Sequence, residues 1–473
     1  MKVKWVRVNK GSKDEPIVRC RLVAQELGYG ERIDELFAGT PSMSSVRLVL
    51  HHSLEVDCNR RLMLLDVKCA FLYGVMSRRV YIELPRQDPR SGSGAVGLLQ
   101  KAMYGTRDAP QIWQNEVRNT MEEFGFMVSA LQPSMYYHPE RGILVTVHVD
   151  DFLCSGRVED LEWLYAGLKG KYDLTKTLFG EGHSSEAKYL NRRLYSEGKF
   201  ISMEGDPKHL DLLIREWALE HGRGVDTPVT REGLDKICMG EELDMASATK
   251  VRRSIARINF MSQDRPDLAV AARIASQWMS SPREGILPFI KRVIRYLLKF
   301  PKVSNFIQEQ AHPQCLHVWT DSDWAGDQSS RRSCSGGYVQ LDGTTLTHWS
   351  KLQSNVALSS GEAELNATVK GLSEAIGIWE LVHEVTGRQL GIKLYVDSSA
   401  CKGIVLRHGA GKVKHLTTKQ LWVQGAVRTY GVEVIKVPRE RNAADVLTHD
   451  VAKSSMMAGL EAMGYWENGK RGE

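Results

Sequence analysis

The sequence predicts a multidomain protein of mixed α+β and α/β class, and three observations predict it. Its 473 residues exceed what one hydrophobic core usually holds, so two to four domains are expected. Apolar residues alternate from Val145 up to Asp150-Asp151 and resume directly afterwards, which reads as a half-buried hairpin with two acids at its tip. A second series of strands, with one long helix, fills the last third, again with acids at the element ends. The composition is ordinary for a globular chain, 42% hydrophobic and 25% charged. A net charge of +6 rests on 63 basic residues, which permits contact with a phosphate backbone without requiring it. The eight cysteines stand singly with no CxxC pair, so neither a zinc site nor a disulfide framework is predicted, and free thiols fit a reducing interior. No apolar run reaches the length of a membrane span, and Met1 to Trp5 lacks the apolar core of a secretion signal. A soluble intracellular protein is expected.

In chain order, Val3 to Val8 and Ile17 to Val23 are expected to pair as a hairpin around Gly11-Ser12-Lys13-Asp14. Arg19 and Arg21 then share one strand face, where two guanidinium forks suit the oxygens of a triphosphate. Val46, Leu50 and Leu54 have helical spacing, with Ser44 or Ser45 as a cap. Arg61 to Asp66 reads as an apolar strand running into an acid, followed five positions later by Phe71. Val80 to Pro85 is a further strand, and Ser91-Gly92-Ser93-Gly94 a surface loop. The chain turns at Gly105 and enters a helix near Pro110, whose stripe of Trp113, Val117, Met121 and Phe124 is a core face. An Asp-Asp turn by itself is more often solvated surface than a site. Two carboxylates held side by side are costly unless neutralised, and a divalent cation is the usual solution.

Together these segments resemble the polymerase domain of copia-type LTR retrotransposon reverse transcriptases. The family pattern runs from R-L-V-A through L-D-V-x-x-A-F-L-x-G and K-A-L-Y-G-L-K-Q-A-P-R-x-W to Y-V-D-D. Here it stands as Arg21-Leu22-Val23-Ala24, then Leu65-Asp66-Val67 with Ala70-Phe71-Leu72 and Gly74. Lys101-Ala102-Met103-Tyr104-Gly105 with Ala109-Pro110 and Trp113 follows, and then Val149-Asp150-Asp151. The resemblance implies a right-hand fold of fingers, palm, thumb and connection, with Asp66, Asp150 and Asp151 as the catalytic, metal-holding triad. It implies that Phe71 stands under the sugar of the incoming nucleotide and excludes a 2′-hydroxyl. Arg19 and Arg21 would face the triphosphate, with Tyr104 and Gly105 in the nucleotide pocket. Three positions depart from the pattern. Asp108 stands for Gln, Gln111 for Arg and His148 for Tyr, and Asp108 is expected to add negative charge near the pocket. The residue types suit in-line phosphoryl transfer, in which two magnesium ions about 4 Å apart serve the attacking and leaving oxygens.

Beyond residue 157 the signal weakens. Leu161, Leu164 and Leu168 suggest a helix, and residues 222–250 read as a connector. Val270, Ile274 and Trp278 mark an apolar helix after Asp264-Arg265-Pro266-Asp267-Leu268. Phe289, Val293, Tyr296 and Leu297 mark another, interleaved with Lys291, Arg292, Arg295 and Lys299. That basic stripe suits either a duplex backbone or plain solvation. Arg265-Pro266-Asp267 and the later R-x-x-R-Y-L from Arg292 to Leu297 resemble the family's thumb and connection.

The last third predicts a strand Leu316 to Asp321 and two strands joined at Asp342-Gly343. A helix follows from Ser359, with a stripe of Leu365, Val369, Leu372, Ile376 and Trp379. Then come a strand Leu394 to Asp397, a fifth strand Val432 to Val437, and Asp445 in a short helix. Strand-Asp, helix-Glu, strand-Asp and helix-Asp in this order resemble the ribonuclease H fold. The copia-type version reads S-D-A-D-W-A-G-D, S-S-x-E-A-E-Y, D-N-x-x-A and A-D-x-L-T-K. By that resemblance Asp321, Glu364, Asp397 and Asp445 are the catalytic, metal-holding acids of a second centre, with Glu362 the alternative if the register shifts by two. Lys414-His415 resembles the family's basic-histidine segment, and His415 is a candidate substrate contact.

The expected division is residues 1–157 for fingers and palm, 158–310 for thumb and connection, 311–450 for a ribonuclease H-like domain and 451–473 for a C-terminal tail. The resemblance implies an RNA-directed DNA polymerase and ribonuclease H. Its partners would be an RNA template, a DNA primer, the RNA-DNA hybrid, deoxynucleoside triphosphates and other parts of the Pol polyprotein. Two Mg2+ per centre are implied, with Mn2+ as a substitute. The implied location is a cytoplasmic virus-like particle and the nucleus, without a membrane. No protease, integrase or zinc-knuckle motif is present, so a fragment or truncated frame is expected. The rival reading is a decayed or host-adopted nucleic-acid-binding protein without polymerase catalysis. All seven carboxylates argue against decay, and the three departures keep it open, as they do a chain in which only the ribonuclease H half works.

Overall fold

The chain divides into two units, one of Met1–Ser42 with Leu62–Leu178 and the other of residues 43–61 with 179–473. The computed structural model describes all residues except 10, 12–14, 28–35, 57, 311–312, 412 and 468–473. The expected turn at Ser12-Lys13-Asp14 lies outside the described residues.

In the first unit, β1 (Val3–Asn9) and β2 (Val18–Ala24) pair antiparallel, with Val6 opposite Arg21 and Val8 opposite Arg19. The main sheet holds β3 (Arg60–Val67), and β4 (Tyr81–Glu83) and β5 (Val96–Leu98) form a small ribbon of their own. β6 (Met127–Val128), β7 (Met135–His138), β8 (Ile143–His148), β9 (Asp151–Arg157) and β10 (Leu174–Phe179) complete the main sheet in the order β10-β3-β9-β8-β7-β6. Period-two alternation puts Met63, Leu65 and Val67 of β3 and Phe152 and Cys154 of β9 into one core. The helices Ala109–Glu123 and Val158–Lys171 supply the opposing surface through Trp113, Val117, Met121, Leu161, Leu164 and Leu168. Phe124, at the end of the expected stripe, is only partly buried against it.

The second unit takes in helix α1 (Met43–Ser53), although it lies early in sequence. Arg47 explains its allegiance. It is 1% exposed and donates to the carbonyls of Leu346 and Gln263 at 3.0 and 2.9 Å. A helical core is built by Leu213 and Trp217 of Lys208–Trp217, Val251 and Ile255 of Met245–Ser262, and the helix Ile286–Lys299. Phe289, Val293, Tyr296 and Leu297 are buried there, as their spacing predicts. Part of the expected connector is helical, at Arg231–Lys236 and from Met245. The basic stripe is largely engaged: Arg292 donates to Thr227 Oγ1, Arg295 to the Arg223 carbonyl, and Lys299 to Asp226. Those cations pin residues 223–227 rather than forming a bare rail.

The remaining sheet of this unit is β11 (Cys315–Asp323), β12 (Cys334–Leu341), β13 (Thr344–Leu352), β14 (Gly391–Val396) and β15 (Glu433–Lys436). Their order is β13-β12-β11-β14-β15, with antiparallel pairing on the first two steps and parallel pairing on the last two. Asp342 and Gly343 both have positive φ, 40° and 96°, the condition for a two-residue hairpin turn. The long helix Ser360–Thr386 starts where Ser359 accepts the Glu362 N–H. Its buried face follows Leu365, Leu372, Ala375 and Ile378; Val369 and Ile376 of the expected stripe are half-buried. Past residue 450 a helix, Lys453–Ala462, and a strand, Tyr465–Glu467, are ordered, the strand pairing with Val303–Asn305.

Candidate active sites

The first candidate site sits where β3 ends and β9 begins. Val149 and Asp150 form the two-residue turn between β8 and β9, with His148 opposite Asp151. The Asp150 carbonyl accepts the Val67 N–H at 2.9 Å, which ties the hairpin tip to the residue after Asp66. Val149 has φ 54°, rare for a β-branched residue, and the buried Trp113 indole N–H donates to its carbonyl at 2.5 Å. The motif tryptophan therefore holds the turn that aims the two acids. Asp66 is exposed and Asp150 and Asp151 are half-buried. Burial first, then the charges of Asp150 and Asp66, push the Asp151 carboxyl up to about 6. The triad thus shares one electrostatic neighbourhood.

Beside it, the Arg21 guanidinium lies 5.0 Å from the centre of the Tyr104 ring, and Phe71 packs on the same ring at 4.9 Å. Arg21 Nε is buried and makes no hydrogen bond. The Tyr104 hydroxyl is pushed up, chiefly by burial, with Asp150 adding and Arg21 and Arg19 opposing. Arg19, Arg21, Phe71 and Asp150 therefore gather around Tyr104. Gly105 has φ 88°, and a Cβ there would come within 2.0 Å of the Ala24 carbonyl oxygen, so only glycine fits. Asp108 differs from expectation. It is 2% exposed and paired with Arg78, not an uncompensated charge. His148 Nδ1 has no hydrogen bond, and nothing in the structure explains histidine there.

The second site is tighter. Asp321 on β11, Glu364 in the first turns of the long helix and Asp397 just past β14 bring one ligand oxygen each to within 4.8 Å of one another. Among the described residues this is the only group of three or more such side chains that close. Asp445, in the turn Ala443–Leu447, acts electrostatically on Asp321 and Asp397 without joining that group. Arg439 Nη2 and His449 Nε2 stand 3.7 and 3.8 Å from its carboxylate. Asp321 is 4% exposed and accepts from Thr448 Oγ1 at 2.9 Å. Glu364 Oε1 accepts from the Ser322 N–H and hydroxyl at 3.2 and 3.0 Å. Burial, and then the neighbouring acids, push Asp321 and Glu364 well above the usual carboxylate range. Glu362 points elsewhere: it accepts from the Leu358 N–H, from Gln420 and from His415 Nε2 at 3.0 Å. The helix register therefore selects Glu364. His415 is exposed and contacts Glu362, not the cluster. Thr448, Ser322, Arg439 and His449 are the supporting residues that the sequence reading missed; Thr448 stands at the threonine of the A-D-x-L-T-K pattern.

Residues 1–229 match the family described as reverse transcriptase (RNA-dependent DNA polymerase). The retrovirus-related Pol polyprotein from transposon TNT 1-94 of Nicotiana tabacum is 27% identical over 99% of this chain and 36% of its own length. That from transposon RE1 of Arabidopsis thaliana is 28% identical over 96% of this chain and 31% of its own. Over nearly its whole length the chain is thus similar to the Pol polyproteins of copia-type retrotransposons. It spans about a third of the length of these relatives. Among solved structures, a ribonuclease H1 isolated from compost is 20% identical, covering 28% of this chain and 93% of its own, at a TM-score of 0.23. No helix among the described residues is long and apolar enough to cross a membrane.

The residues of the second site fit a divalent cation. Glu364 Oε2 and Asp445 Oδ1 are buried without a hydrogen-bond partner, and hard oxygen donors are what magnesium takes. At the first site the donor set is equally hard, and Asp151 bears the cost of having two like charges nearby.

Proposed function

We propose that this chain is an RNA-directed DNA polymerase coupled to a ribonuclease H. It would extend a DNA primer on an RNA template at Asp66, Asp150 and Asp151, and hydrolyse the RNA of the hybrid at Asp321, Glu364, Asp397 and Asp445. The observation that carries the reading is the convergence of Asp321, Glu364 and Asp397, with buried unpartnered oxygens, in a chain whose residues 1–229 match the reverse transcriptase family. Two Mg2+ at each centre would lower the cost of generating the attacking oxyanion and of releasing the leaving one. The rest falls to the chain. Thr448 fixes the orientation of Asp321 through its hydroxyl, and Ser322 that of Glu364 through its N–H and hydroxyl. Trp113 holds the turn that presents Asp150 and Asp151. Arg21, with its unpaired Nε, and Arg19 would receive the triphosphate, while Phe71 on Tyr104 would form the sugar's floor.

On this reading residues 1–157 act as fingers and palm, 158–310 as thumb and connection, and 311–450 as the ribonuclease H-like part, with 451–473 completing the C-terminus. The similarity to Pol polyproteins supports deoxynucleoside triphosphates, template, primer and hybrid as partners, together with other parts of the Pol polyprotein, in a cytoplasmic particle and the nucleus. His415 would serve as a substrate contact, since it is exposed and binds Glu362, two residues before Glu364 on the same helix. The rival, a nucleic-acid-binding protein without catalysis, is weakened by the burial of Asp108 against Arg78, which removes one reason for doubting the nucleotide pocket. Asp321→Asn is expected to stop cleavage of RNA in a hybrid while primer extension persists. Loss of both activities would contradict two independent centres.

A further inference from the structure

We propose that Glu26, Arg78 and Asp108 form an ionic clamp that positions the nucleotide-binding stack of Arg21, Tyr104 and Phe71. This rests on the polymerase reading and deepens it. The three residues come from segments far apart in sequence: just past β2, the loop after the turn Ala70–Tyr73, and the start of the helix Ala109–Glu123. Arg78 Nε donates to Asp108 Oδ2 at 2.7 Å and Nη2 to Oδ1 at 3.1 Å, a two-pronged pair. The same Nη2 lies 2.8 Å from both Glu26 oxygens. Glu26 Oε2 also accepts the Arg107 N–H at 2.7 Å.

Asp108 occupies the N-cap of its helix yet makes no side-chain capping bond. An aspartate there ordinarily caps its own helix, so its orientation toward Arg78 gives up a local bond for a long-range one. The Asp108 and Glu26 side chains are 3% and 11% exposed, enough shielding for the pairs to hold their geometry where surface pairs would not.

What the clamp joins is the edge of the candidate nucleotide pocket. The Ala24 N–H donates to the Tyr104 carbonyl at 2.8 Å and the Glu26 N–H to the Gly105 carbonyl at 3.4 Å. Arg21 is three residues before Ala24 on β2, and it lies over the ring of Tyr104. Pulling Glu26 toward Arg78, and Asp108 toward the same guanidinium, closes β2 onto the Tyr104-Gly105 turn. In the family pattern position 108 carries Gln, a neutral residue that needs no counter-charge. The acid in this chain and Arg78 are therefore one device, and neither is expected to work without the other. Glu26, Arg78 and Asp108 are positioning residues, since each acts through Arg21 and Tyr104.

The test is a cycle of Arg78→Met, Asp108→Asn and the double variant, with Arg78→Lys as the conservative control, in primer extension on an RNA template. Each single change is expected to raise the KM for dTTP at least fivefold with kcat within threefold. The double variant should be no worse than the poorer single, and Arg78→Lys should recover part of the loss. Unchanged KM in both singles, losses that multiply in the double, or a fall in kcat alone would overturn the clamp. Amide hydrogen exchange of the same proteins decides the matter separately: residues 24–26 and 104–108 should lose protection in Arg78→Met, and unchanged protection there overturns the proposal. A wild-type protein that extends no primer would sink the polymerase reading, while exchange would still judge the clamp.

Discussion

Glu364→Gln is expected to make the metal-free protein more stable and to abolish the magnesium response of the unit that holds the second site. The reason is visible in the cluster. Two unit charges 4.8 Å apart repel by about 3 kcal/mol at an effective dielectric constant near 20. Glu364 faces two such neighbours, Asp321 and Asp397, and burial with their repulsion already drives it toward the protonated form. Only part of that repulsion is therefore present at neutral pH, and its relief is worth about 1–2 kcal/mol. The amide keeps an oxygen for the Ser322 N–H and hydroxyl, and its nitrogen supplies donors where Oε2 has no partner. In a domain-sized melting unit that corresponds to a rise of roughly 2–6 °C in unfolding temperature. A ligand at ten times its Kd adds about 1.4 kcal/mol, so magnesium should raise the transition of the unit holding Asp321 in the wild type and leave that of the same unit in the variant unmoved. Thermal unfolding by circular dichroism, with and without saturating magnesium, reads both effects. A variant less stable than wild type without metal, or one whose Asp321-bearing unit keeps the magnesium increment, would refute the reasoning.

Two further outcomes follow from buried groups. Trp113→Phe removes the donor to the Val149 carbonyl and should cost about 1–3 kcal/mol in urea unfolding, against which an unchanged midpoint would count. Stability should also fall with acid before most carboxylates titrate. Burial holds His51 and His52 down to about 4 and about 3, from 6.5 in the unfolded chain. Between those limits the unfolded state binds protons that the folded state refuses, so stability is full above 6.5 and is lost as pH falls, by on the order of 3 kcal/mol per histidine at the lower end. Burial opposes ionisation of Glu55, but hydrogen bonds from Arg388 and the nearby cations outweigh it and hold the carboxyl at about 2, so its contribution is lost in the same direction below 4.5. Urea titrations at pH 7 and pH 5 that gave equal stability would contradict this, and His51→Gln with His52→Gln should flatten the slope.

Much of both sites was legible because their acids end regular elements. Period-two alternation placed Asp150-Asp151 at a hairpin tip, and the cap at Ser359 with the helical period that follows placed Glu364 on the inner face. The choice between Glu362 and Glu364 needed the structure, because both fall in the same first turns and only their partners differ. Pairings distant in sequence left no local signal. Arg78 meets Asp108 thirty residues away and Glu26 fifty-two away, and no periodicity links them. Arg47 is buried because its donors reach carbonyls more than two hundred residues distant, which no local pattern announces. The helical stretches at 231–236 and 453–462 were hidden by short length and mixed composition, where tertiary packing outweighs propensity. His148 remains the one departure in the polymerase hairpin for which the structure offers no reason.

The most direct test is primer extension on an RNA template by the wild-type chain with magnesium, beside Asp150→Asn. The account predicts extension by the wild type, none by the variant, and equal binding of both to primer–template. A wild-type protein that binds the duplex and never extends the primer, or a variant that extends it as well as wild type, would contradict the central claim.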